Sequence, residues 1–243
     1  MFSIALFTDL DGTLIPPEFV RLRPEVPPPL GEVLRRLAGL IPVAVVTTKD
    51  CDFASRVVPF AAAYACINGV EVRAGRYVAV VRDVRFEAME EVYKAALGLD
   101  AYVEAKRMWG GRVAGVTVDW RGRGAPPRGL EEVVQLAGQL GLKVLKYSRH
   151  PLVDIYGAEV DKGEAVRLLK ALLGVKHVVY MGDSENDIPA WREADVKILI
   201  RHGLNSQFYV NGAVPIRFEE LPGYLEEVVS NIAGKPGANS PQP

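Results

Sequence analysis

Four short apolar runs in this 243-residue chain do not alternate with polar residues. They read IALF at 4–7, PVAVVT at 42–47, AYACI at 63–67 and HVVYM at 177–181. Strands with no alternation are buried on both faces, which calls for a parallel sheet covered by helices on either side. Between the first two runs, Leu30, Val33, Leu34 and Leu37 recur at helical spacing, and Gly39 stands where that helix should stop. The expected fold class is α/β.

From residue 84 to 156 the rhythm changes. Phe86, Met89, Val92, Tyr93 and Ala96 form one helical stripe that Gly98 closes. YVEAKRM (102–108) and RVAGVTVDW (112–120) read as strands joined by a Gly110-Gly111 hairpin turn. A second helix carries Leu130, Val133, Val134 and Ala137, and strands follow at 142–147 and 152–156. This is the pattern of an antiparallel α+β insert at 84–156, dividing a core made of 1–83 and 157–232. The polar, Pro- and Gly-rich end, 233–243, is expected to be disordered.

Charge excludes some partners. With 29 basic and 30 acidic side chains, the net charge of -1 gives no field to attract nucleic acid or an anionic membrane. An anionic ligand must therefore be held by a local arrangement. Cys51 and Cys66 are the only cysteines, which excludes a disulfide scaffold and fits a reducing compartment. His150, His177 and His202 are scattered without metal-ligand spacing. No signal peptide and no run of about twenty apolar residues is seen, so a cytoplasmic protein is expected.

Three polar signals follow strands. Asp9 and Asp11 follow the first, Thr47 the second, and Gly182-Asp183-Ser184-Glu185-Asn186-Asp187 the last. Ligands of open parallel sheets sit at just these carboxyl ends. A fourth signal, Lys162, opens a helix at 161–173, capped by Asp161. A lysine there opposes the helix dipole unless an anion sits beside it.

Asp9, Asp11 and Asp183, with Asp187 near them, make a site that a hard cation such as Mg²⁺ would neutralise. Asp9 is placed to attack phosphorus and form an aspartyl-phosphate. Asp11, two residues on, can serve as general acid and then base, and crowded negative charge would raise the pKa of at least one carboxyl. Thr47 and Lys162 can hold the phosphoryl oxygens. Each signal alone has a plainer reading: Asp-x-Asp-Gly as a turn, and residues 183–187 as a helix cap.

Taken together, these residues resemble the haloacid dehalogenase (HAD) superfamily of phosphohydrolases. TDLDGTLI (8–15), VAVVTTK (43–49), VDKGEAV (160–166) and MGDSENDIPAW (181–191) are similar to its four motifs. The resemblance implies a Rossmann-like HAD core with an inserted type C2 cap that selects substrate. It also implies Asp9 as nucleophile, Asp11 as acid/base, Asp183 as metal ligand, and Asp187 in support with its neighbour Asn186. CINGV (66–70), with Asn68, looks like the segment that precedes such caps.

Within the superfamily, VEAKRM resembles the cap of trehalose-6-phosphate phosphatases, which implies Glu104 and Lys106 facing a sugar. Residues i and i+2 of a strand share a face, although a solvated sheet face reads the same way. GDSEND is closer to sucrose-phosphatase-like enzymes, and TTKD to mannosyl-3-phosphoglycerate phosphatases; Asp119 stands where a His is usual. The expectation is a Mg²⁺-dependent phosphatase acting on a small phosphorylated metabolite, a sugar phosphate resembling trehalose-6-phosphate, with Arg121 and Arg149 joining Glu104 and Lys106 in discrimination. A mannosyl-3-phosphoglycerate or phosphoglycolate phosphatase, a phosphomutase and a catalytically silent phosphometabolite-binding protein are the alternatives.

Overall fold

A computed structural model describes residues 3–19, 24–148 and 150–234. In chain order the elements begin with β1 (Ile4–Thr8), α1 (Pro28–Ala38), β2 (Val43–Val46), α2 (Cys51–Val57), β3 (Ala63–Cys66), β4 (Glu71–Ala74) and β5 (Tyr77–Val80). Next come α3 (Phe86–Ala96), β6 (Tyr102–Arg107), β7 (Val113–Asp119), α4 (Leu130–Gln139), β8 (Lys143–Lys146) and β9 (Leu152–Tyr156). The last are α5 (Lys162–Leu173), β10 (His177–Gly182), α6 (Ile188–Glu193), β11 (Val196–Arg201), β12 (Ala213–Arg217) and α7 (Leu221–Ala233).

The larger sheet has the order β12-β11-β10-β1-β2-β3-β4-β5. Its first six strands are parallel, and β4 and β5 add an antiparallel edge. The absence of alternation now has its cause. Leu6, Val43 and Val45 pack with Leu30, Leu34, Leu225 and Val229 of α1 and α7. Ala5, Phe7, Ala44 and Val46 face the other way, onto Val166, Leu169 and Trp191 of α5 and α6. Full burial of side chains this size contributes about 1.5–3 kcal/mol each. Because β2 and β10 flank β1 on opposite sides, the strand order reverses at β1, and a crevice opens at its carboxyl end.

The smaller sheet, β6-β7-β9-β8, is antiparallel. Gly110 and Gly111 turn the β6–β7 hairpin at φ +86° and +81°, backbone angles that a side chain would oppose. Val116, Val118, Val153 and Ile155 pack with Met89 and Val92 of α3 and with Val133 and Ala137 of α4. The opposite face holds Glu104, Lys106, Thr117, Asp119 and Asp154, and it is turned onto the larger sheet's crevice. All seven residues of β7 are buried.

Two sequence expectations change. Cys51 opens α2, Cys66 ends β3, and the two are joined by a disulfide with Cα atoms 5.3 Å apart. One bridge is no scaffold, yet cysteine usage no longer argues for a reducing compartment. The pairing follows from the packing of α2 beside β3, which a count of cysteines does not reveal. Ala233, assigned to the tail, is the last residue of α7 and Gly234 caps it. The rest of that tail, 235–243, and Arg149 lie outside the described residues. The β4–β5 edge had no counterpart in the sequence reading. No helix among the described residues is long and apolar enough to cross a membrane.

Candidate active site

Asp9 continues the line of β1, its N–H donating to the Met181 carbonyl at 2.9 Å. The chain then turns at once, with the N–H groups of Leu14 and Ile15 both donating to the Leu10 carbonyl at 2.9 Å. Gly12 makes the turn possible. Its φ is +84°, and a Cβ there would lie 2.3 Å from Asp183 Oδ2. That close approach puts the end of β10 against the turn after β1. Thr13 Oγ1 donates to Asp183 Oδ1 at 3.2 Å, and His202 Nε2 lies 3.0 Å from Asp183 Oδ2.

Lys162 is fully buried, and its Nζ bridges Asp9 Oδ2 at 2.9 Å and Asp187 Oδ1 at 2.7 Å. This resolves the lysine in a helical first turn: two carboxylates supply the anion. Asp161 caps α5 by accepting the Glu164 N–H at 2.9 Å. Asp187 also accepts from the Tyr180 hydroxyl at 2.7 Å and from the N–H groups of Asp183 and Ser184 at 3.0 and 3.2 Å. Asn68, at φ +59°, donates to the Val160 carbonyl at 3.1 Å and so braces the approach to α5. Thr47 is fully buried, and its hydroxyl accepts the Lys49 N–H at 3.1 Å. The cleft wall at this point is formed by Thr48 and Lys49.

The cleft between the two sheets has a volume of about 260 Å³. Lys49 reaches across it, 2.8 and 3.1 Å from the two Glu104 oxygens and 3.6 Å from Asp11 Oδ2. Lys106 is almost wholly buried, so the reading of a solvated sheet face does not hold for it. Its Nζ donates to Asp154 Oδ1 at 3.0 Å, and Asp154 also accepts from the hydroxyls of Thr117, Tyr147 (2.7 Å) and Tyr156 (3.0 Å). Arg121 pairs with Asp119 at 2.7 Å. Asn186 Nδ2 lies 3.4 Å from the Tyr147 hydroxyl, and Glu185 accepts the Ser148 hydroxyl at 2.8 Å. These contacts tie the smaller sheet to the loop after β10.

Burial sets the charge behaviour. It pushes Asp9 well above the usual carboxylate range, against the pull of Lys162 and with help from Asp187 and Asp183. Burial likewise raises Asp11, with Lys49 opposing, and raises Asp183, with the His202 hydrogen bond opposing. The sequence reading put the rise down to crowded negative charge; removal from water is the larger cause, and neighbouring acids add to it. Burial alone would lower Lys162, but Asp187 and Asp9 more than offset it and hold the ammonium charged. Asp154 goes the other way. Burial would raise it, yet Lys106 and the Thr117 and Tyr147 hydroxyls hold it low.

Asp9, Asp183 and Asp187 offer carboxylate oxygens within 4.8 Å of one another. Asp187 already accepts four hydrogen bonds, which leaves Asp9 and Asp183 with lone pairs to share. Asp11 Oδ1 is buried without a hydrogen-bond partner among the described residues. All-oxygen, acid-rich and short of cations, this donor set fits a hard divalent ion.

Lys49, Thr13, His202, Thr117, Tyr147 and Asp154 escaped the sequence reading. Lys49 had a signal, its place two residues after Thr47. The others stand in plain surroundings, and only chain packing brings them in.

Residues 132–204 match the haloacid dehalogenase-like hydrolase family. A glucosyl-3-phosphoglycerate/mannosyl-3-phosphoglycerate phosphatase of Persephonella marina is 32% identical over 99 residues, covering 39% of this chain and 36% of the relative's length. Among solved structures, a trehalose-6-phosphate phosphatase related protein superposes with a TM-score of 0.72 at 17% identity, covering 95% of this chain and 100% of that one. The C-terminal domain of the C. albicans trehalose-6-phosphate phosphatase gives 0.68 at 16% identity, covering 95% and 92%. The fold is shared with these solved structures, and the family match over residues 132–204 takes in the third and fourth of the four motifs.

Proposed function

We propose that the protein is a Mg²⁺-dependent phosphatase of a small phosphorylated metabolite, a sugar phosphate, and that it works through an aspartyl-phosphate on Asp9. The observation that carries this reading is the Asp9–Lys162–Asp187 bridge beside Asp183 at the mouth of a polar cleft. A structural ion pair needs no such cleft, whereas phosphoryl transfer needs a fixed nucleophile and nearby positive charge.

In this mechanism a carboxylate oxygen of Asp9 attacks phosphorus as the ester P–O bond breaks, and Asp11 gives its proton to the leaving oxygen. Asp11 then takes a proton from the water that cleaves the aspartyl-phosphate, regenerating Asp9. Burial keeps Asp11 protonated further up the pH scale than an exposed carboxyl, as an acid catalyst requires. Lys162 offsets phosphoryl charge while holding Asp9 in line. Mg²⁺, held by Asp9, Asp11 and Asp183, would supply further neutralisation of that charge. Residues 84–156 act as the cap, with Glu104, Lys106 and Arg121 meeting the leaving group.

A glycosyl phosphoglycerate is the second substrate reading, favoured by the Persephonella marina relative. Phosphate release measured over sugar phosphates, phosphoglycolate and mannosyl-3-phosphoglycerate, with and without Mg²⁺, decides between them. Isomerised sugar phosphate in place of free phosphate would mark a phosphomutase. Asp9→Asn should lower kcat at least about a thousandfold with an unchanged circular dichroism spectrum. Full activity in that variant would end the aspartyl-phosphate mechanism.

A further inference from the structure

The turn that follows β11 is tied to Asp183 in two ways. Asn205 Nδ2 donates to the Asp183 carbonyl at 2.8 Å and to the Ile200 carbonyl at 2.8 Å. Asn205 Oδ1 accepts the His202 N–H at 3.0 Å, which closes the turn on itself. The His202 side chain then reaches the Asp183 carboxylate, with Nε2 3.0 Å from Oδ2 and both side chains about 95% buried.

The proton on this imidazole can be assigned from its partners. The Leu204 N–H donates to Nδ1 at 3.3 Å, so Nδ1 carries a lone pair. The neutral ring must therefore bear its hydrogen on Nε2, where it donates to Asp183 Oδ2. The hydrogen leaves Nε2 no lone pair for a metal, and the lone pair of Nδ1 is taken by the Leu204 N–H, so in this tautomer His202 is not a ligand. Thr13 holds the other oxygen, Oδ1. Among the described residues each oxygen of Asp183 thus has one donor and keeps one lone-pair direction open.

We propose that His202 is a positioning residue for the metal site: its Nε2–H fixes the rotation of the Asp183 carboxylate so that an open lone pair faces the divalent cation. The inference rests on the proposed role of Asp183 as a ligand. Groups that hold a metal ligand from behind fix its orientation, and losing one typically weakens metal binding. His202 carried no spacing signal because its partner lies 19 residues away, just past the end of the neighbouring strand β10.

Calorimetric titration of Mg²⁺ into the phosphate-free protein tests this. His202→Ala should weaken Mg²⁺ binding about 10–100-fold. His202→Gln, whose amide N–H reaches about as far as Nε2–H, should restore most of the loss. Unchanged affinity in His202→Ala overturns the proposal, and so does equal loss in both variants. Imidazole nitrogen shifts of the unmodified protein give a check independent of folding defects: a proton on Nδ1 in place of Nε2 also overturns it. A wild-type protein that binds no Mg²⁺ removes the metal reading itself, a different failure from a bound ion indifferent to His202.

Discussion

The two walls of the cleft handle charge differently. On the core wall, Lys162 pairs with Asp9 and Asp187, Lys49 lies 3.6 Å from Asp11 and Asp183 meets His202, so acid exceeds base. On the facing sheet, Lys106 meets Asp154 and Arg121 meets Asp119, while Glu104 takes its base, Lys49, from across the cleft. An unbalanced buried wall is costly without a further cation, and this is what makes it suited to binding one. A balanced wall is stable unliganded, and its donors and acceptors are already oriented for a polar molecule. Charge balance separates the wall proposed for chemistry from the wall proposed for recognition.

The largest test of this contrast is to remove the base from the core wall. Lys162→Met leaves Asp9 and Asp187 buried without their cation and should cost about 3–5 kcal/mol in urea unfolding, with loss of activity. Lys106→Met on the facing wall should cost less, about 1–3 kcal/mol, because Thr117, Tyr147 and Tyr156 still donate to Asp154. Equal losses would erase the distinction between the walls.

Acidity should separate them next, with opposite signs. Asp9, Asp11 and Asp183 have raised values in the fold, so their contribution to metal-free stability is complete below the unfolded carboxylate range. It is lost as pH rises through the raised values. Mg²⁺ should therefore lift the melting temperature more at pH 8 than at pH 5. Asp154 is depressed, so its stabilisation is present above about pH 4 and disappears only as pH falls through its lowered value. The difference between wild type and Asp154→Asn should then narrow only in strong acid. A Mg²⁺ effect that shrinks with rising pH would contradict the unbalanced core wall.

The smallest effect is expected where the walls touch. Water reaches the Lys49 and Glu104 side chains, 12% and 20% exposed, more than it reaches the fully buried Lys162, so Lys49→Met should cost about 1–2 kcal/mol in stability. It should raise KM for substrate more than it changes kcat, as measured by steady-state phosphate release. A loss confined to kcat would move Lys49 from recognition to the chemical step.

Much of the core wall was legible in the sequence because its residues sit at ends of elements that the sequence marks by itself. Asp9 and Asp11 end an apolar run, Lys162 follows a capping Asp161, and Asp183 ends another strand. On the facing wall, the strand periodicity placed Glu104 and Lys106 on one face but did not name their partners. Thr117 stands opposite Asp154 through the β7–β9 register, a pairing of residues 37 positions apart. The disulfide and the His202 contact depend on packing in the same way.

By itself, then, the chain determined the parallel core, the inserted sheet and the acids that end its strands, because hydrophobic period and capping are local properties. Tertiary structure decided how much water those acids lose, which base each one meets, and that a histidine without any spacing signal stands behind Asp183. Those outcomes depend on strand register and on the closure of one sheet over the other, and distance in space is not written as distance along the chain.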